Sequence, residues 1–146
     1  MKFLVLVLAA AAALAVPAAA MSDASQATGV TLQVRHSAYG KILFDGRGYV
    51  LYAFSRDSKE KSNCQGRCAA RWPVYFATGT LRAGSGLKQA LLGTTRRPDG
   101  RRQVTYAGRP LYHYIGDTRP GLITCQNVSE YGGLWLVVAA SGMVVK

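Results

Sequence analysis

The chain has 146 residues, 16 of them glycine, and 49% of its side chains are hydrophobic. That composition excludes wholesale disorder, a coiled coil and a polytopic membrane protein, and the length suits one domain. Eighteen Lys and Arg against seven Asp and Glu give a formal net charge of +11, an excess that attracts polyanions.

Residues 1–20 read as a signal peptide. Met1-Lys2 is a short basic start, Phe3 to Val16 is unbroken apolar sequence, Pro17 ends it, and Ala18-Ala19-Ala20 offers a small-residue cleavage site. The run is shorter than the ~20 apolar residues a membrane span requires. No cysteine lies at the cleavage point to carry a lipid. The expected product is a single β domain over 21–146, periplasmic or secreted, with no transmembrane anchor. An exported address argues against nucleic acid as the partner. It favours anionic lipid headgroups, teichoic acids or lipopolysaccharide.

A strand is expected from Val30 to His36, with Val30, Leu32, Val34 and His36 on one face. From Tyr39 onward the chain resembles itself at an offset of 60 residues: Gly40, Gly48, Leu51, Tyr52 and Asp57 are identical to Gly100, Gly108, Leu111, Tyr112 and Asp117. Without gaps, Lys41 aligns with Arg101, Phe44 with Val104 and Phe54 with Tyr114. This divides the domain into repeat 1 at 39–76, a connector at 77–98 and repeat 2 at 99–145.

Each repeat reads as strand, Gly turn, return strand, polar turn and Trp segment. The first strands are Lys41–Phe44 and Gln103–Tyr106, and the return strands are Tyr49–Ser55 and Leu111–Ile115. Tyr52 and Phe54 share one face, as do Tyr112 and Tyr114, while Leu51, Ala53, Leu111, His113 and Ile115 point the other way. Helical stretches are expected only at Gln65–Arg71 and Leu87–Leu92. The chain closes with a strand at Leu134–Ala139, a turn at Gly142 and Met143–Val145. The fold class is mainly β, a compact pseudo-twofold sandwich or barrel built from two similar repeats with one or two short helices.

Cys64 and Cys68 should close a local disulfide in an oxidising compartment, with a redox-active pair as the alternative. Cys125 is the odd cysteine, inert if buried and reactive if not. His36 and His113 are the only histidines, and a site joining them to Cys125 is conceivable. No Ser-His-Asp order, H-E-x-x-H or phosphate loop occurs, so no catalytic residue, metal or cofactor is assigned. Tyr52, Phe54 and Asp57 recur as Tyr112, Tyr114 and Asp117. The aspartates are read as turn fixers that accept backbone N–H bonds, and alternatively as a symmetric pair of cation ligands. Arg96, Arg97, Arg101 and Arg102 flank the turn Pro98-Asp99-Gly100 and form a candidate basic patch.

Leu51-Tyr52-Ala53-Phe54-x-x-Asp57, Cys64-x-Gly66-x-Cys68-Ala69 and Trp72-Pro73 together resemble the bacterial secreted-repeat family, predicted lipoproteins with a Y-x-[FWY]-x-x-D motif. The second half, from Gln103 through Gly108-Arg109-Pro110-Leu111-Tyr112 and Asp117 to Trp135, is similar to the family's second repeat. The resemblance implies an extracytoplasmic two-repeat β domain whose activity is unassigned. Three departures stand out. There is no lipobox cysteine, Val74 replaces a second proline, and Thr124-Cys125-Gln126-Asn127 replaces a Gly-containing loop.

These features point to a non-enzymatic cell-envelope or secreted module that binds an anionic envelope polymer or an extracytoplasmic protein. The alternative is a redox or metal-handling accessory protein of the periplasm.

Overall fold

In the computed structural model, residues 31–146 are described; the expected leader and Val30 lie outside them. All strand pairs are antiparallel, and a single isolated bridge, Leu32 with Ala83, is parallel. Strands β1 (Leu32–Ser37) and β2 (Gly40–Asp45) form one hairpin, and β4 (Leu92–Arg96), β5 (Arg102–Tyr106) and β6 (Arg109–Pro110) form a three-stranded sheet. The third sheet has the order β3 (Tyr52–Phe54), β8 (Gly133–Val137), β7 (Val128–Glu130). The only α-helix among the described residues is α1, Arg67–Arg71. The protein is mainly β, three small sheets packed as a sandwich.

The return strands do not stay in their own hairpins. Phe44 faces Val50 in one bridge, and the chain then leaves, so that Tyr52–Phe54 pairs with Val137–Trp135 of the other repeat. In the mirror arrangement Tyr112 faces Val74, His113 N–H donates to the Pro73 carbonyl at 2.8 Å and Ile115 N–H to that of Arg71 at 3.2 Å. At the crossing point Tyr52 and Tyr112 exchange two backbone bonds of 2.9 and 3.0 Å. The repeats are therefore interlocked about a pseudo-twofold axis through these two tyrosines. Strands with apolar residues on both faces cannot lie at a solvated edge, and each repeat supplies the other's missing neighbour.

Two cores follow from strand alternation. Tyr52, Phe54, Trp72, Tyr112, Trp135 and Cys64 pack on one side of the return strands. Leu32, Leu43, Leu51, Ala53, Val104, Tyr106 and Leu111 pack on the other.

Several sequence expectations need revision. The segment 77–98 is more than a connector: a 3-10 turn at Gln89–Leu91 replaces the helix expected at Leu87–Leu92, and β4 follows. Thr94, Thr95 and Arg96 carry no apolar alternation, and their strand is set by pairing with β5. The ungapped alignment also slips inside the repeat. Leu43 N–H donates to Val138 and Val104 N–H to Tyr75, so Leu43, rather than Phe44, is the counterpart of Val104. The Pro98-Asp99-Gly100 turn is one residue longer than Ala38-Tyr39, and the Ala107-Gly108 turn is one residue shorter than Gly46-Arg47-Gly48. Both residues of that short turn have positive φ (51° and 74°), the hairpin geometry that matches strand twist. His36, on the face shared by Leu32 and Val34, is exposed near the end of β1.

Candidate functional site

The repeated motif builds the centre of the molecule. The Tyr52 hydroxyl donates to Asp117 Oδ2 at 2.7 Å, and the Tyr112 hydroxyl donates to Asp57 Oδ2, also at 2.7 Å. Each tyrosine thus reaches the aspartate of the opposite repeat. The second carboxylate oxygens hold the loops that follow: Asp57 Oδ1 accepts Asn63 N–H at 2.7 Å, and Asp117 Oδ1 accepts Thr124 N–H at 3.0 Å and its hydroxyl at 2.7 Å. The two turns are therefore not independent. Burial pushes the Asp57 carboxyl up to about 6, against the lowering pull of Asn63 N–H, the Tyr112 hydroxyl and the Arg97 charge. Both tyrosine hydroxyls are driven well above the ordinary range, chiefly by burial and by the neighbouring carboxylates.

The aromatic partners follow the same symmetry. Trp72 and Trp135 stack at 3.9 Å and 3°, Phe54 lies on Trp135 at 4.3 Å, and Tyr114 leans on Trp72 at 4.7 Å. Tyr52 and Tyr112 meet Trp72 and Trp135 edge-on. All six motif residues, Tyr52, Phe54, Asp57, Tyr112, Tyr114 and Asp117, serve this one cluster. Among the described residues no three His, Cys, Asp or Glu side chains converge.

Cys64 and Cys68 are joined in a disulfide across the start of α1. Cys125 is free, buried and next to Tyr114. His36, His113 and Cys125 are not assembled into a site. His113 instead meets Asp45, with Nε2 3.1 Å from Oδ2. That carboxylate is itself buried. It accepts the Arg47 and Tyr49 N–H groups at 2.9 Å each. Burial raises the Asp45 carboxyl, yet His113 and these N–H bonds outweigh it and hold it down to about 2. The pair borders a cleft of about 510 Å³ with Arg47, Val74, Tyr75, Phe76 and Thr78.

The arginine cluster divides. Arg96 and Arg102 are exposed and face each other across β4 and β5. Arg101 is exposed, paired with Asp99 at 2.7 Å and laid over the Phe76 ring at 3.8 Å. Arg97, expected at the surface with them, is only 6% exposed. Its Nη1 donates to Ser62 Oγ (2.6 Å) and Gln103 Oε1 (2.8 Å), and its Nη2 to the Cys64 carbonyl (2.8 Å) and Gln65 Oε1 (2.6 Å). The extra turn residue and the polar Gln103, standing where repeat 1 has Ile42, make room for it. Arg97 and Arg101 line a second cleft of about 490 Å³ together with Gln65, Gly66, Ala69, Pro73, Val74, Phe76 and Asp99. Sequence reasoning missed Asp45, Gln103 and both clefts. The one available signal was a glutamine at a position where its repeat partner is apolar.

Two segments, residues 33–75 and 93–139, match a family described as a secreted repeat of unknown function. Their starts coincide with β1 and β4, so the structural repeat reaches farther back than residues 39 and 99. No curated protein and no solved structure matches the chain significantly. No helix among the described residues is long and apolar enough to cross a membrane. With both halves matched and interlocked about a common axis, the chain belongs to the secreted-repeat family.

Proposed function

We propose that the protein is a non-enzymatic extracytoplasmic module that binds an anionic envelope polymer through the tip of the β4–β5 hairpin. One observation carries this reading. Arg96 and Arg102 stand directly opposite each other in the ladder, both exposed, and neither has a carboxylate partner among the described residues. Their hydrogen-bond acceptors are neutral: Arg96 donates to the Gly100 carbonyl and Arg102 to the Thr94 hydroxyl. Like charges facing across a ladder oppose each other, and a bound anion relieves that repulsion. The formal charge of +11 draws polyanions to the surface as a whole. The rest of the hairpin is scaffold: Val104 and Tyr106 anchor it in the second core, and the reading is recognition without chemistry.

The test is titration of the protein with purified lipoteichoic acid and with lipopolysaccharide at rising salt. Affinity should fall steeply with ionic strength, as counterion release requires, and R96Q/R102Q should weaken it by about tenfold or more. Binding indifferent to salt, or none to either polymer, overturns the reading.

A further inference from the structure

We infer that the cleft between α1 and the β4–β5 turn is a binding site for an anionic sugar unit, with Arg97 as its buried charge. This deepens the polyanion reading, on which it rests, by naming the group the polymer would insert. Arg97 is the only buried cation among the described residues: its counterpart in the other repeat is Ser37, and its brace Gln103 replaces Ile42. A buried guanidinium normally has a carboxylate partner, because neutral acceptors satisfy its hydrogens without neutralising its charge. Arg97 has four acceptors, all of them neutral; the carboxylates of Asp57 and Asp99 feel its charge but neither bonds it.

A guanidinium has five donors, and the fifth, Nε–H, has no partner among the described residues. No buried side-chain nitrogen or oxygen in the described residues lacks a partner, so this Nε reaches the surface. The surface that Arg97 borders is the cleft. Four fixed hydrogen bonds hold the fifth donor in place before any ligand arrives, which lowers the ordering cost of binding.

The rest of the lining fits a ring that carries an oxyanion. Gly66 and Ala69 are small, and Pro73, Val74 and Phe76 give an apolar wall against which a pyranose face can lie. Arg101, already laid over Phe76, brings a second guanidinium to the same rim. Asp99 is the opposing charge at the mouth. It is held by Arg101 and sits below the ordinary carboxylate range, so it is ionised and competes with an incoming anion. At about 490 Å³ the cleft exceeds what a lone phosphate fills and accommodates one sugar residue with its acidic group.

The experiment titrates the 15N-labelled protein with glucose 6-phosphate, glucuronic acid, inorganic phosphate and glucose, following backbone amides and arginine Nε–H signals. Saturable shifts should centre on Arg97 Nε–H, Gln65 and Gly66, should appear with the two acidic sugars, and should be absent with glucose. The stronger of the two acidic sugars identifies phosphate or carboxylate as the inserted group. R97K should weaken binding about tenfold or more. D99N should tighten it several-fold, while E60Q, the same charge change at another exposed carboxylate, leaves it unaltered; this comparison holds even if R97K folds poorly. No shift with any anion, or equal effects of D99N and E60Q, overturns the inference. Polymer binding that R96Q/R102Q weakens but D99N leaves alone also overturns it, while the module reading stands. Acidic-sugar binding at the cleft without binding to either polymer supports the site and removes the polymer reading.

Discussion

The hydroxyl of Tyr52, in the first repeat, hydrogen-bonds the carboxylate of Asp117, in the second, at 2.7 Å, and both groups are buried. The exchange is reciprocated by Tyr112 and Asp57, so the recurring motif is a clasp between halves rather than two local turns.

Breaking the clasp from either side should cost comparable stability. Y52F strands one lone pair of a buried carboxylate, and D117N keeps the size but removes the charge that strengthens all three bonds Asp117 accepts. Each should destabilise by about 1 to 3 kcal/mol. The pair Y52F/D117N should fall well short of additivity, whereas Y52F with an exposed hairpin change such as R96Q should add within about 0.5 kcal/mol. Urea denaturation of the singles and doubles measures both. Strict additivity for Tyr52 and Asp117 would show that the contact carries no coupling.

The aspartates should leave opposite marks on the pH dependence of stability. Asp57, raised to about 6 in the fold from an ordinary value near 3.8, binds its proton more tightly folded than unfolded. Stability therefore declines as pH rises from about 4 to 6. Asp45, lowered to about 2, contributes stability that is present above about 4 and lost as pH falls towards 2. D57N should flatten the slope between pH 4 and 6, and D45N the acid limb. Unfolding curves at fixed ionic strength across pH 2 to 7 test this. An unchanged slope in D57N would refute the burial argument.

The stacked tryptophans should couple electronically. Rings 3.9 Å apart and 3° from parallel should give an exciton couplet in circular dichroism, and W72F or W135F alone should abolish it. Either change also leaves a cavity at the axis, so each should lower stability by roughly 1 to 3 kcal/mol. A couplet that survives in one single mutant would mean that the pair is not its source.

The disulfide is a local clip. A loop this short contributes roughly 2 kcal/mol by chain entropy, so C64A/C68A should unfold at lower denaturant yet remain folded in water. Cys125 should react with a thiol reagent quickly only after unfolding, because it is buried in the aromatic core. Thiol titration with and without denaturant decides the point.

The repeat and its strands were legible because glycine turns and tyrosine alternation leave a period that survives without structural knowledge. The interlock was not. Residues 49–55 read equally well as the second arm of a hairpin, and nothing in Leu51-Tyr52-Ala53-Phe54 says which repeat supplies Trp135 as a partner. The register slip was hidden because one added residue near Gly100 and one missing residue near Ala107 cancel, leaving Gly40 and Gly48 in step with Gly100 and Gly108. Arg97 was masked by its neighbours: four arginines around a turn read as a solvated tip, and only packing against Gln103 and the Cys64 carbonyl distinguishes one of them. Asp45 and His113 lie far apart in sequence, so their pairing had no local signature.

The interlock also governs when the chain can fold. Residue 54 gains its sheet partner only when residue 135 arrives, and Val74 gains its own only with Tyr112. Long loops must therefore close before native pairing is rewarded, which places folding on the slow side for a chain of this size. During synthesis the first repeat lacks its partners for Phe54 and Val74 until the second is made. A chain that cannot lock until Trp135 has emerged stays open for most of its length, the condition that threading through a membrane pore requires, and this suits a family described as secreted.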